Sequence, residues 1–186
     1  MGDIMELPNI KILDESNSIL HTKSVDVDLP LSETDHKLIN DALDYLELSQ
    51  IESEREKYDL RAGMGLSFIQ LGIPKRIFVI SEEINGKFER HVAVNPKVIS
   101  KSEELVFVGE GEGCLSVNRE VEGIVPRHAR LSIEAYDENG ELFNIRLRED
   151  MAICVQHELD HLDGILFTDR IDKNDPFKNR HLMREI

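Results

Sequence analysis

Two histidines and a glutamate lie close together near the C-terminal end of the sequence, as "HELDH" (His157, Glu158 and His161). Histidines at this spacing lie on one face of a helix, one turn apart, so both imidazoles can bind the same metal ion. Glu158 follows the first histidine and can reach a water activated by such an ion without being a ligand itself. The pattern indicates metal-assisted hydrolysis, and it requires a further ligand.

The two cysteines of the chain are the candidates for that ligand. The longer motif of some zinc peptidases ends in a third histidine, but this sequence has Phe167 at that position. Cys154 precedes His161 by about 10.5 Å along a helix axis, so both cannot bind one ion through bonds of about 2 Å. Cys114, which follows a glycine-rich turn in "GEGEGCLSV", is therefore the predicted third ligand. A fourth position open to water is typical of a catalytic site.

The helix that must carry the histidines is predicted over residues 149–162, which contain no Gly or Pro and are followed by Gly164. A second helix is predicted in "LSETDHKLINDALDYLELSQ", where Ser32 is a capping residue and the apolar residues share one face. The charged stretch after it, "ESEREKYDLRAG", is expected to be a surface loop or the helix end.

The middle of the chain favours strands. "RIFVI", "HVAVNPKVI" and "ELVFVGE" are short, β-branched and bounded by turn residues, and two Asn-Gly pairs predict hairpins. A helix, several antiparallel strands and a last helix predict an α+β domain. In this fold, antiparallel sheets pack around the C-terminal metal-binding helix and the N-terminal helix joins them.

Composition limits the function classes. The 186 residues suit a single domain over residues 1–186, with 173–186 as a flexible tail. A net charge of −15 argues against sequence-specific binding of nucleic acid. No apolar run approaches the ~20 residues of a membrane helix, and no secretory signal precedes the domain. Two distant cysteines favour a reducing cytosol, so a cytoplasmic monomer is expected.

Three stretches occur in the order of the motifs of one hydrolase family, the peptide deformylases. The family motifs have the forms G-x-G-L-A-A-x-Q, E-G-C-L-S and H-E-x-x-H. The corresponding stretches are "GMGLSFIQ" (63–70), "EGCLS" (112–116) and "HELDH" (157–161). The last two match in full, and "SVNREVEGIVPR" resembles the longer-chain class of Gram-positive bacteria and mollicutes. Over about residues 8 to 172, the chain resembles a peptide deformylase of this class.

The first motif departs from the family pattern. Ser67 and Phe68 replace two small residues, and Ile69 stands where proline is frequent. A bulky Phe68 must be accommodated by the surrounding core if the loop is to orient Gln70. Because the glycines and Gln70 of the motif are kept, we expect the packing to compensate.

The resemblance implies removal of the formyl group from formyl-methionine at the start of new polypeptides, with release of formate. It implies one divalent ion per chain, Fe(II), held by Cys114, His157 and His161, with zinc, nickel or cobalt able to substitute. Cys-His-His ligation by itself would favour zinc. By the same resemblance, the Gln70 amide and the Leu115 backbone N–H stabilise the oxyanion.

The sequence also suggests residues for the substrate side of the site. Gly63 and Gly65 would let a substrate backbone approach as an added strand. Met64, Ile153 and Cys154 are candidates for an apolar slot that takes the methionine side chain, although ordinary core packing explains them equally well. Because the family acts on nascent chains, three basic residues near the C-terminus are predicted to help transient ribosome contact: Lys178, Arg180 and Arg184.

Two other classes of function stay open. A metallopeptidase would cleave internal peptide bonds in an extended cleft, and Phe167 together with a cysteine ligand argues against it. A structural or metal-sensing protein would close the site with two cysteines and two histidines, and it would need neither Glu158 nor Gln70.

Overall fold

The computed structural model describes residues 5–186, which form three α-helices, eight strands and short 3₁₀ helices. The helices are α1 (Glu33–Gln50), α2 (Glu52–Tyr58) and α3 (Glu149–Leu162). The strands are β1 (Gly65–Ser67), β2 (Ile77–Ile84), β3 (Lys87–Lys101), β4 (Leu105–Phe107), β5 (Arg127–His128), β6 (Arg130–Tyr136), β7 (Leu142–Arg148) and β8 (Arg184–Glu185). No helix in this range is both long and apolar enough to cross a membrane.

The main sheet is antiparallel, with strand order β1-β2-β3-β6-β7, and both of its faces are covered. Ile77 and Val79 of β2 pack in a cluster with α1, whereas Phe78 and Ile80 pack in a cluster with α3. Alternate residues of a strand point to opposite faces, so one strand supplies both cores. The predicted α+β class is confirmed, with the sheet lying between the N-terminal helix and the helix that carries "HELDH".

Local signals place several elements correctly. Ser32 caps α1 by accepting a hydrogen bond from the N–H of Asp35 (3.1 Å). Helix α3 has the predicted bounds, and Gly164 just beyond it has a φ of +74°. Both Asn-Gly pairs lie in hairpins, one between β2 and β3 and the other between β6 and β7. The charged stretch after α1 forms the separate short helix α2.

Strand β1 lies at the edge of the main sheet and leads into a 3₁₀ helix, Phe68–Leu71. Phe68 is fully buried in the core between α1 and the sheet. Ile69 is buried in a different cluster with Leu20 and Leu166. The two large side chains of the first motif therefore pack in separate cores, and both anchor the 3₁₀ helix that directly follows β1.

The C-terminal segment does not form the free tail that the sequence suggests. Strand β8 pairs in parallel with β4 in a second sheet of order β5-β4-β8. Arg184 forms ion pairs with Glu104 (3.0 Å) and Glu149 (2.9 Å). Ile186 packs against a cluster that contains Ile153 of α3. The last residues of the chain are thus part of the packed structure.

Candidate active site

Three potential metal ligands converge from two segments of the chain. His157 and His161 lie one turn apart on α3, with ring centroids 5.0 Å apart. Cys114 comes from the loop between β4 and β5, and its Sγ lies 3.3 Å from Nε2 of His161. One ligand atom from each residue lies within 4.8 Å of the other two. The structure therefore brings together the three residues that the sequence singles out.

The chemistry of these donors fits a divalent metal ion. Three donors that share one ion through bonds of about 2.0–2.3 Å must lie within about 4 Å of one another, and this group approaches that spacing. Burial, followed by the charge of His157, lowers the pKa of His161 well below its usual value, so its imidazole is neutral, the form that binds metals. A buried thiol, two imidazoles and a neighbouring cavity are what a catalytic site with an open position requires.

Electrostatics at His157 favour positive charge. Burial alone would lower the pKa of this imidazole, but the neighbouring Cys114 sulfur, the hydrogen bond to Glu112 and the negative charge of Glu158 outweigh burial and raise the pKa to about 10. Nδ1 of His157 donates to Oε1 of Glu112 at 2.9 Å. This bond directs Nε2 away from Glu112 and makes it the nitrogen available to an ion. The same negative surroundings that stabilise an imidazolium favour a bound cation.

Glu158 lies on α3 beside the donors and is buried. Its Oε2 accepts a hydrogen bond from the hydroxyl of Ser67 at 2.7 Å. Burial raises the pKa of the Glu158 carboxyl, although the charge of His157 and the Ser67 hydroxyl act in the opposite direction. Gly65 allows this position, because a Cβ on that residue would lie 2.6 Å from Oε1 of Glu158. The carboxylate therefore rests directly on the β1 backbone.

Gln70 is buried in the 3₁₀ helix after β1, and its amide has a defined orientation. Its Oε1 accepts the backbone N–H of Ser67 at 2.9 Å. Its Nε2 donates to Oγ of Ser116 at 3.0 Å and lies 3.6 Å from Sγ of Cys114. Because the carbonyl oxygen is taken by a backbone donor, the amide presents N–H groups to the metal-ligand cluster.

A cavity of about 420 Å³ opens beside the donors. Its lining includes all the residues predicted for the site except His161, which lies behind the others: Gly63, Met64, Gly65, Gln70, Cys114, Leu115, Ile153, Cys154, His157 and Glu158. Gly63 permits the close approach of Leu115, whose side chain would lie 2.6 Å from a Cβ at that position. Within residues 5–186, no acceptor takes the backbone N–H of Leu115.

Cys154 lines the cavity but is not part of the group of three donors. Burial, together with the negative charge of Glu158, raises the pKa of this thiol well above its usual value. A thiol must lose its proton to bind a metal ion, so this environment disfavours Cys154 as a ligand. Cys154 therefore stays a candidate for the wall of the cavity, as the helix spacing suggests.

Sequence reasoning missed the buried ion pairs behind the ligands. Glu112 accepts two hydrogen bonds from Arg127 and one from His157; burial would raise the pKa of its carboxyl, but these bonds and the charges of their donors lower it to about 2. Arg127 also donates to Asp160 at 2.6 Å, and Asp160 accepts from Arg170 at 2.6 Å. Their positions within the motifs are the only sequence signal for these contacts, because Glu112 is part of "EGCLS" and Asp160 is part of "HELDH".

Comparison with known proteins agrees with this geometry. The family model described as polypeptide deformylase matches residues 10–177. The peptide deformylase of Oceanobacillus iheyensis is 48% identical over 167 residues, covering 89% of this chain and 91% of the relative. That of Macrococcus caseolyticus is 45% identical over 169 residues, covering 90% and 92%.

Solved structures give the same result. A plant peptide deformylase superposes with a TM-score of 0.73 at 32% identity, covering 92% of this chain and 85% of the other. The enzyme of Ehrlichia chaffeensis gives 0.73 at 27% identity, covering 89% of both chains. A family model that spans most of the chain, close relatives from Gram-positive bacteria and similar folds lead to one conclusion. The chain belongs to the polypeptide deformylase family.

Proposed function

We propose that this chain removes the formyl group from formyl-methionine of nascent polypeptides through the cavity described above. Hydrolysis of N-terminal formyl groups is the activity of the family. One observation carries the assignment to these residues: Cys114 lies together with the two histidines of α3, and Cys114 and His157 line the cavity beside the buried carboxylate of Glu158. Cys114, His157 and His161 would hold the metal ion.

A divalent ion bound there would supply Lewis-acid chemistry, activating water and polarising the formyl oxygen. Glu158 moves the protons. One carboxylate oxygen accepts the proton of the attacking water, and the same group returns a proton to the nitrogen of the departing methionine as the C–N bond breaks. A raised pKa, caused mainly by burial, suits a carboxylate that must both take and give a proton.

Two donors of the chain stabilise the charge that develops on the formyl oxygen. Nε2 of Gln70 is directed towards Cys114 because Oε1 is held by the Ser67 N–H. The N–H of Leu115 is free of acceptors within the described range of residues. Donors oriented before the substrate arrives cost no reorganisation during the reaction, which is the basis of oxyanion stabilisation.

Substrate binding uses the edge of the main sheet. Strand β1 is the first strand of the sheet order, so its outer edge can pair with an extended peptide. Gly63 and Gly65 have no side chains that could hinder that peptide, and Leu115 and Glu158 fill the space where their Cβ atoms would lie. The methionine side chain would lie in the apolar part of the cavity formed by Met64, Ile153 and Cys154.

We propose that the ion in the cell is Fe(II), one per chain. This choice follows the family, whereas one sulfur and two nitrogen donors also suit zinc. Elemental analysis after anaerobic purification should find about one iron per chain, and reconstitution should rank the activities of the iron, nickel, cobalt and zinc forms. Zinc as the sole metal under these conditions would contradict the proposal.

The wider setting is also a proposal: a cytoplasmic monomer that contacts ribosomes briefly through its C-terminal basic residues. Lys178 and Arg180 are exposed, and each pairs with one carboxylate, Asp172 and Glu185 respectively. Reversing both charges (Lys178→Glu, Arg180→Glu) should weaken ribosome co-sedimentation at low salt without changing hydrolysis of a small peptide. Unchanged co-sedimentation would remove the proposal, and sedimentation of the free protein would test the monomer.

Formate release from a formylated peptide tests the central proposal. The Acinetobacter baumannii neighbour was solved with Met-Ala-Ser bound, so formyl-Met-Ala-Ser is a suitable probe. We expect formate and Met-Ala-Ser as the products, loss of activity with a chelator, and recovery with Fe(II). Acetyl-Met-Ala-Ser serves as the control for acyl selectivity. Cleavage at an internal peptide bond, or no formate from the metal-loaded protein, would overturn the assignment.

A further inference from the structure

We propose that Ser67 is a positioning residue that holds the Glu158 carboxylate in its working orientation. The hydroxyl of Ser67 donates to Oε2 of Glu158 at 2.7 Å and lies 3.2 Å from the backbone carbonyl of the same residue. Ser67 is fully buried. Within residues 5–186, it is the one hydrogen-bond donor recorded for this carboxylate. The inference rests on the proposed role of Glu158 in deformylation.

The hydrogen bond from Ser67 gives the two oxygens of the Glu158 carboxylate different roles. Oε2 is held by Ser67, while Oε1 lies over the backbone of Gly65 at the cavity wall. A side chain with a free terminal torsion would rotate between several orientations. A charge-assisted hydrogen bond at this distance selects one of them, and it leaves the second oxygen to exchange protons with water and substrate.

Ser67 also links Glu158 to the oxyanion donor. Its backbone N–H holds Oε1 of Gln70, while its hydroxyl holds Glu158 on the opposite element, α3. One residue at the end of β1 therefore sets the orientation of two side chains that act on the same formyl group. Only the hydroxyl is specific to serine, because any residue other than proline supplies the N–H. The two roles can therefore be separated by mutation.

The variant Ser67→Ala removes the hydroxyl and keeps the N–H that holds Gln70. With formyl-Met-Ala-Ser and the iron-loaded protein, we expect kcat to fall about tenfold, with KM within twofold and about one metal ion per chain. Ser81→Ala is the matched control. Ser81 is also fully buried and donates to a carboxylate, Glu47, at 3.1 Å, outside the catalytic machinery. It should leave kcat unchanged.

A second pair of variants separates positioning from a general structural role. Glu158→Asp withdraws the carboxylate from the Ser67 hydroxyl by one methylene. In this background, Ser67→Ala should change kcat by less than twofold, because the interaction is already lost. The same tenfold fall in both backgrounds would overturn the proposal. So would a kcat within twofold of the wild type for Ser67→Ala alone, or an effect confined to KM. Absence of formate release by the wild type would instead refute the proposed function.

Discussion

Nδ1 of His157 is bound by Glu112 and Nε2 is left for a metal ion, and this division bears on how firmly the proposed site would hold the ion. Nδ1 donates to Glu112, which in turn accepts from Arg127, so the ring orientation is set by a buried ion pair. Hydrogen-bonded carboxylates of this kind orient a ligating imidazole and raise its basicity. Glu112, which orients the imidazole of His157, is therefore as important to the proposed metal site as His157 itself.

Glu112→Gln should weaken metal binding by about 10- to 100-fold, because the neutral amide is a poorer acceptor for the imidazole N–H. Competition with a chromophoric chelator measures the affinity, and thermal unfolding reports the loss of stability. Glu47→Gln is a matched control, since Glu47 is a buried carboxylate that pairs with Arg90 away from the cavity. It should lose stability while keeping its metal affinity. Metal affinity within twofold of the wild type in Glu112→Gln would contradict this role.

The roles of ligand and proton carrier can be distinguished at three neighbouring residues. Cys114→Ala should lose both activity and tightly bound metal, because only two histidines remain. Glu158→Ala should keep its metal and lose turnover, by about 10² to 10⁴ in kcat, since its carboxylate moves protons. Cys154→Ala should keep metal and most activity. The metal content and the formate release of the three purified variants test these roles. Full metal content in Cys114→Ala, or loss of metal in Cys154→Ala, would show that Cys114 is not the third ligand.

At the scale of single residues, the sequence predicts which residues form the site better than it predicts which side chains contact one another. The spacing of two histidines on a helix is local information and places both on one face. The contacts of Glu112 with His157 and of Ser67 with Glu158 join residues far apart in the chain, and each depends on how distant elements pack. In the sequence, Ser67 differs from the family motif but carries no sign that its hydroxyl contacts Glu158.

At the scale of elements, long periodic segments were predictable and very short ones were not. Helix α3 contains no Gly or Pro and is followed by Gly164, so its bounds can be predicted from the sequence. Strands β5 and β8 span two residues each, and β8 pairs in parallel with β4, far away in the sequence. So short a segment has no periodicity, and only tertiary packing defines it as a strand.

Phe68 links the hydrophobic core to the 3₁₀ helix that carries Gln70. It is fully buried against α1 and the sheet, and it begins the 3₁₀ helix that carries Gln70. Phe68→Ala should reduce the free energy of unfolding by about 3–5 kcal/mol, since it leaves a large cavity. It should also lower kcat, because the helix that orients the amide loses its anchor.

Urea unfolding of Phe68→Ala and the formate assay at a temperature where the variant stays folded measure the two effects separately. Leu48→Ala is a suitable comparison, because Leu48 is almost fully buried in α1. It should cost stability without a comparable fall in kcat. Normal turnover by folded Phe68→Ala would show that the Gln70 helix is held by other contacts.

At the scale of the whole molecule, the site lies where separate layers meet. Strand β1 lies along the cavity, α3 supplies two of the three potential metal donors and Glu158, and the loop after β4 supplies the thiol of Cys114. The second sheet packs beside these elements. Its strand β8 pairs with β4, and Ile186 packs against the cluster that contains Ile153. Ile153 and Val108 line the cavity on that side. Residues 184–186 therefore support one wall of the proposed substrate cavity.

Removing residues 184–186 should consequently alter substrate binding more than chemistry. The deletion takes away β8, the packing of Ile186 and the ion pairs of Arg184 with Glu104 and Glu149. We expect KM for formyl-Met-Ala-Ser to rise about three- to tenfold, with the metal retained and kcat within about threefold, because the ligands and Glu158 lie on other elements. Leu182→Ala is the control, since Leu182 is 70% exposed and should be neutral. Steady-state kinetics and metal analysis measure these effects. An unchanged KM in the folded deletion variant would show that the cavity wall keeps its structure without β8.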